Sequence, residues 1–178
     1  MKIDIRNARP EDSEIVTWIV FAALDIYDSI SEKMRQSCSI ADTLYSWDKT
    51  RLVTVDEKVV GGLIAYQGND YPRLRDKTWP FCWDEDKAIL DSIERECAPG
   101  EYYLDSMALL PEYRRQGLGK ALILDAIEQG RQMGCMAATL LADKNKHSLI
   151  IYYKDLGFKI SGSMIYFGHD YWKMRIEL

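Results

Sequence analysis

Between Arg114 and Lys120 the chain reads Arg-Arg-Gln-Gly-Leu-Gly-Lys, with cations at Arg114, Arg115 and Lys120 and glycines at Gly117 and Gly119. That combination suits an anion. The glycines remove Cβ atoms that would hold a bulky diphosphate away from the main chain, and they permit positive φ where a tight loop needs it. A helix opening beyond the turn would add N–H groups with no intrahelical partner and a partial charge of roughly +0.5. The segment therefore reads as a cradle for phosphate.

Such a cradle has to be held between a strand and a helix, and the flanking residues supply both. Upstream, Tyr102 to Leu110 is an apolar strand running into Pro111, with Tyr103, Asp105, Met107 and Leu109 expected on one side and Tyr102, Leu104, Ser106 and Ala108 on the other. Downstream, Gly119, Leu122, Ile123, Ala126, Ile127, Gly130 and Met133 fall on one helical face. Two familiar phosphate-loop patterns fail on single positions. A P-loop would need Gly at Arg114 and a hydroxyl at Ala121, and a dinucleotide fingerprint would need Gly at Leu122. A plain strand-to-helix connection is the bland alternative for any short glycine-rich turn.

A third pattern, [Gln/Arg]-x-x-Gly-x-[Gly/Ala] after a strand ending in Leu-x-Pro, is met by Leu109-Leu110-Pro111 and Arg114 to Gly119 in order and spacing. Here the sequence resembles the acyl-CoA loop of the GNAT N-acetyltransferase superfamily. Gly61-Gly62 resembles a glycine-containing strand of the same superfamily, and Asn145 to Phe158 resembles its N-x-x-A-x-x-L-Y-x-x-x-G-F segment. The resemblance implies an α/β (α+β) fold, with a mixed, mostly antiparallel central sheet of about six to seven strands flanked by helices. It implies one catalytic domain over residues 1–178, with an insertion at about 69–100 rich in Trp, Tyr, Arg73 and Arg75 that could close over an acceptor or make a dimer contact.

The resemblance also implies roles. Main-chain groups near Met107, Ala108 and Leu109 would pair with the pantetheine arm of acetyl-CoA, the co-substrate. Arg114, Arg115, Gln116, Gly117, Leu118, Gly119 and Lys120 would hold its diphosphate, and Asn145 would also contribute to binding the co-substrate. Transfer to a primary amine needs a base, because an amine of pKa ~10.4 is neutral in roughly one molecule in a few thousand at pH 7. Asp105 is the first candidate and Glu101 a weaker one, each with a solvated or salt-bridged acid as its alternative. An N–H near Met107 would face the oxyanion. The departing thiolate would take a proton from Tyr153 or, on the other count of the motif, Tyr152. No metal is needed. A CoA-binding regulatory module without turnover is the alternative from a different functional class.

The rest of the chain bounds these readings. At 178 residues it is long enough to bury roughly two-thirds of its unfolded surface. The net charge of −5 argues against non-specific nucleic-acid binding, which needs a broad basic surface. No run of ~20 apolar residues suggests a membrane span, and the charged start does not read as a signal peptide, so a cytoplasmic protein is expected. Cys38, Cys82, Cys97 and Cys135 form no C-x-x-C pair and read as reduced, buried thiols. The acceptor stays open among small-molecule and peptide amines.

Along the chain, Ile3 and Ile5 mark a first strand and Pro10 the start of a helix with the stripe Ile15, Val16, Ile19, Val20, Ala23 and Tyr27. Ser29 to Glu32 could cap a second short helix, and Ile40, Leu44, Tyr45 and Trp47 suggest a further amphipathic turn or two. Tyr27, Tyr45 and Trp47 could contact an acceptor or simply pack. Arg51–Val55 and Val59–Tyr66 form a hairpin, and Asp84 to about Cys97 reads as a helix after an irregular Asn69-to-Trp83 stretch. After the strand Met136–Leu141 and the helix Ser148–Asp155, Met164–Phe167 and Tyr171–Ile176 close the chain about the turn Gly168-His169-Asp170.

Overall fold

Leu52, Ile64, Tyr66, Tyr103 and Ala108 belong to one buried cluster while Val53, Leu63, Ala65, Tyr102 and Leu104 belong to a second. Period-two alternation thus gives the sheet two apolar faces, and each needs a helical cover. The computed structural model describes residues 2–24, 32–82 and 87–178. The strands are β1 (Ile3–Asn7), β2 (Thr50–Val55), β3 (Lys58–Gln67), β4 (Glu101–Leu109), β5 (Ala137–Asp143), β6 (Lys159–Tyr166) and β7 (His169–Glu177). They form one seven-stranded sheet in the order β1-β2-β3-β4-β5-β7-β6. Every neighbouring pair is antiparallel except β4 with β5. This is the mixed, mostly antiparallel sheet expected.

The helices are α1 (Ser13–Leu24), α2 (Glu32–Ser39), α3 (Tyr71–Cys82), α4 (Lys87–Ser92), α5 (Leu118–Gln132) and α6 (His147–Asp155). Val16, Ile19, Val20 and Phe21 of α1, Met34 and Cys38 of α2, and Tyr71, Leu74 and Trp79 of α3 fill the first cluster. Leu118, Leu122, Ile123, Ala126 and Ile127 of α5 fill the second, with Ile150 of α6. A Cβ on Gly130 would stand 3.0 Å from that of Tyr102, so the small residue does let α5 lie close to the sheet. Met133, expected on the same face, is 47% exposed, because α5 ends at Gln132 and Met133 is its C-cap.

Several sequence expectations shift. The stretch expected to be irregular folds from Tyr71 as α3, with Pro72 at its second position, where the helix has no use for an N–H. Among the described residues the helix expected over Asp84–Cys97 runs only over α4 and ends at Ser92; residues 84–86 lie outside the described residues, as do Tyr27 and the capping residues Ser29-Ile30-Ser31. The second amphipathic turn is a single 3-10 turn, Trp47–Lys49. The closing hairpin is longer than expected and turns on Phe167 and Gly168, both at positive φ, rather than on Gly168-His169-Asp170.

The largest correction is in β4. Ile64 pairs with Ser106 and Ala65 with Leu104, so Asp105 is an extra residue with no partner on β3. That bulge switches the alternation. Tyr103 and Ala108 join the first cluster and Tyr102, Leu104, Met107 and Leu109 the second, instead of Tyr103, Met107 and Leu109 sharing a side.

Candidate active site

The bulge lies where the sheet opens. Strand β4 pairs with β3 as far as Leu109, but with β5 only over Glu101–Tyr103 against Ala137–Thr139. Beyond Thr139, β5 stays paired with β7 up to Asp143. No ladder therefore joins the second halves of the two parallel strands. A cavity of about 30 Å³ occupies this part, lined by Asp105, Ser106, Met107, Leu141 and Tyr153 together with Leu63, Leu104, Ile123 and Leu140. Leu110 donates its N–H to Val60. Strand alternation then directs the main-chain groups of Ala108 toward β3 and those of Met107 and Leu109 away from it. One of these is already used, since Nε of Arg114 donates to the Leu109 carbonyl at 3.0 Å. A larger hollow of about 160 Å³, lined by Asn7, Lys49, Arg51, Gln67 and Tyr102 among others, contains none of the expected site residues.

After β4 the chain makes a 3-10 turn at Pro111–Tyr113 and enters α5 through Arg115 (φ 60°) and Gly117 (φ 84°). Ala121 makes the first helical bond, to the Gly117 carbonyl at 3.0 Å. Among the described residues no protein acceptor takes the amides from Arg115 through Lys120. Arg114, Arg115, Gln116, Gly117 and Lys120 are exposed, and a Cβ at Gly117 would meet nothing within 4 Å. Free amides, a helix N-terminus and mobile cations together make a suitable seat for a diphosphate. Leu118 is buried and anchors the helix instead.

The two candidate tyrosines of α6 diverge. Tyr153 lines the cavity and its ring meets Phe158 edge-on at 6.0 Å. Its neighbour Tyr152 places its hydroxyl 3.3 Å from where a Cβ on Gly119 would stand, beside Met107 and Leu109. Burial pushes both phenols above their ordinary range. The helix ends at Gly157 (φ 99°) with Phe158 donating to the Tyr153 carbonyl, so the glycine cap orients the tyrosine pair. Asn145 is exposed in the turn before α6, its N–H bonded to Oδ1 of Asp143.

Asp105 is brought to the cavity wall with Tyr153, but its carboxylate is engaged. Tyr66 donates to Oδ2 at 2.6 Å and Ser106 to Oδ1 at 2.7 Å. Burial raises its pKa against these two donors. Behind it stands an acid the sequence reading passed over. Glu96 is 9% exposed and accepts from Tyr103 at 2.7 Å, Tyr166 at 2.9 Å and Tyr71 at 3.3 Å. Burial and the nearby Asp105 charge push it up to about 7. No local signal marks Glu96, because its partners lie on α3, β4 and β6.

Other expectations resolve into packing. Tyr45 is buried in the first cluster and Trp47 packs against it. Glu101, the weaker base candidate, is tied to Arg175 at 2.9 Å, to the Ala98 amide at 2.8 Å and to Thr139 at 3.2 Å. Arg75 lies over the rings of Tyr71 and Trp79, and Arg73 pairs with Asp42. All four cysteines are free and buried. Among the described residues no helix is long and apolar enough to cross a membrane.

The model of the acetyltransferase (GNAT) family matches residues 20–158. An N-acetyltransferase from Staphylococcus aureus Mu50 superposes with a TM-score of 0.80 at 22% identity, covering 97% of this chain and 100% of that one. A ribosomal-protein-S18-alanine N-acetyltransferase from Escherichia coli gives 0.66 at 19% identity, over 99% and 94% of the two chains. The PaiA N-acetyltransferase from Thermoplasma acidophilum, solved in complex with coenzyme A, gives 0.58 at 19% identity over both whole chains. At these identities the superpositions speak for the fold. No curated protein matches the sequence.

Proposed function

This chain belongs to the acetyltransferase (GNAT) family, and from that premise we propose that it transfers the acetyl group of acetyl-CoA to a primary amine by direct attack. It is an acetyltransferase; the proposal concerns its acceptor and its residues. The observation that carries it is the run of amides from Arg115 through Lys120 that no acceptor among the described residues takes, at the head of α5 and at the end of a strand that has parted from its parallel neighbour.

In this reading the amides and the cations of Arg114, Arg115 and Lys120 hold the diphosphate, with Gln116, Gly117, Leu118 and Gly119 shaping the loop. Main-chain groups of Met107 and Leu109, with Ala108 between them, receive the pantetheine arm, and Asn145 borders the site. The thioester then lies beside the cavity that Asp105 and Tyr153 share. Bound there, acetyl-CoA supplies the activated acyl group. Asp105 takes the amine's proton, an N–H near Met107 faces the developing oxyanion, and Tyr153 protonates the leaving sulfur. We assign residues 1–178 to one catalytic domain, with α3 and α4 belonging to an insertion at about 69–100. The acceptor is read as a small-molecule or peptide amine.

Calorimetric titration with acetyl-CoA tests the premise of the site, and an amine panel followed by thiol release tests the reaction. Absence of binding at high micromolar acetyl-CoA would remove the assignment of the loop. Binding without release to any amine would favour a CoA-binding module.

A further inference from the structure

Two carboxylates, Glu96 buried and Asp105 half-buried, lie on the same side of the opened sheet, and among the described residues neither is bonded to a lysine or arginine. Asp105 lines the cavity and is held by Tyr66 and Ser106. Glu96 stands behind it in a ring of three tyrosine hydroxyls. The two are linked through phenol rings, one pair stacked and the other tilted. Tyr66, bonded to Asp105, lies 6.2 Å from the ring of Tyr71 and 5.7 Å from that of Tyr103, and both of those donate to Glu96.

A buried acid without a cation is costly to fold around, and hydrophobic packing would serve the core better. Neighbouring acids of this kind ionise as a unit, because the charge of one opposes the charge of the other. We propose that Glu96 is a positioning residue of the transfer reaction, forming with Asp105 a two-acid site that shares one proton and keeps the cavity-lining acid basic enough to accept the amine's proton.

The inference rests on the acetyltransferase reading of the cavity and deepens it. In the step, the nitrogen lone pair forms the N–C bond to the acetyl carbon and the C–S bond breaks, leaving its electron pair on sulfur. The proton lost by nitrogen goes to the acid pair, and sulfur receives one from Tyr153. The phenols that face the pair are Tyr45 from the loop before β2, Tyr66 on β3, Tyr71 on α3, Tyr103 on β4, Tyr166 on β6 and Tyr171 on β7. Burial keeps all six phenols neutral in the range where the acids titrate. Cys97, next to Glu96, is likewise pushed up by burial. Of the cations in the surroundings, Arg75 lies over the rings of Tyr71 and Trp79, and Lys173, whose charge reaches Cys97, is paired with Glu94. Tyr166 is half-buried, unlike Tyr71 and Tyr103, so it is the donor most easily removed without opening the core.

The test compares wild-type protein with Glu96→Gln and Tyr166→Phe. Acetyl-CoA calorimetry comes first, and a wild-type protein that fails to bind overturns the underlying reading of the loop rather than this inference. Infrared spectra recorded across pH then follow the carboxylic-acid carbonyl stretch. Wild type should lose a protonated-acid band near pH 7, and Glu96→Gln should lack that band. A band unchanged by Glu96→Gln, or no such band in wild type, overturns the proposal. Thiol release from acetyl-CoA is measured with glycinamide, ethylamine and a free-amino tripeptide. Glu96→Gln should move the acid limb of the best rate to lower pH by about one unit. Tyr166→Phe, which removes a donor to the charged form, should move it higher, and this variant carries the test if Glu96→Gln does not fold. Limbs that stay in place, or binding without release to any of the amines, overturn the role in transfer.

Discussion

The hydroxyl of Tyr66 donates to Asp105 at 2.6 Å, and it does so across the one place where β3 and β4 slip by a residue. Without the bulge, Asp105 would follow Tyr103 and Met107 in strict alternation and could not share a face with Ser106, whose hydroxyl holds its other oxygen. A donor to the carboxylate favours its charged form. Tyr66→Phe should therefore raise the pKa of Asp105 further, shifting the acid limb of kcat/KM upward. It should also cost about 1 kcal/mol of stability, because a half-buried carboxylate loses a hydrogen-bond partner. A pH–rate profile and urea unfolding of the same variant check the two effects separately.

The two loop glycines do different things, and alanine should tell them apart. Gly117 has φ 84° but open space around its missing Cβ. Gly117→Ala should cost about 1–2 kcal/mol of backbone strain with no clash. Gly119 lies inside α5, where alanine is favoured by up to ~1 kcal/mol, but its Cβ would press on the Tyr152 hydroxyl at 3.3 Å. Gly119→Ala should leave thermal stability nearly unchanged. Each should weaken acetyl-CoA roughly tenfold, or about 1.4 kcal/mol, if the loop amides grip the diphosphate. Calorimetry showing undiminished affinity in both variants would remove the loop from the site.

Tyr152 and Tyr153 are adjacent in the chain and point to different neighbours, one to Gly119 and the other to the cavity. A proton donor to the leaving sulfur contributes typically 10²- to 10⁴-fold, so Tyr153→Phe should lower kcat by roughly that factor with little change in KM. Tyr152→Phe should act mainly on KM for acetyl-CoA. The reverse pattern in steady-state kinetics would reassign the acid to Tyr152.

How much of this could be read beforehand follows the range of the interactions involved. The loop from Arg114 to Lys120, its strand and its helix are local, and their residue types carry the geometry without help from elsewhere. The hairpin of β2 and β3 and the cap at Gly157 were legible for the same reason. The switch of side at Asp105 was not, since a bulge is decided by pairing with Ile64 and Ala65, some forty positions away in the chain. Nor was Glu96, whose burial depends on Tyr71, Tyr103 and Tyr166. Pro72 misled because proline reads as a breaker unless the helix begins at the residue before it.

Glu96 also gives stability a pH dependence whose sign follows from its environment. Its pKa rises from 4.5 in the unfolded reference to about 7 in the fold, so between those values the folded state holds the proton that the unfolded chain has released. Stability then falls as pH rises through this window. The contribution is fully present below 4.5 and gone above about 7. Asp105 moves in the same direction, because burial raises it too. Paired surface acids oppose the trend: Asp12, bonded to Arg6, is lowered, so its contribution builds as pH rises toward its unfolded pKa of 3.8 and is fully present above it. Since that opposing gain is largely complete before Glu96 begins to ionise, the midpoint of urea unfolding should decline from mildly acidic to neutral pH. In Glu96→Gln the decline should be much shallower, because glutamine has no proton to lose. A midpoint that rises with pH in wild type, or a slope unaltered by the substitution, would show that the tyrosine ring holds Glu96 as an ordinary carboxylate.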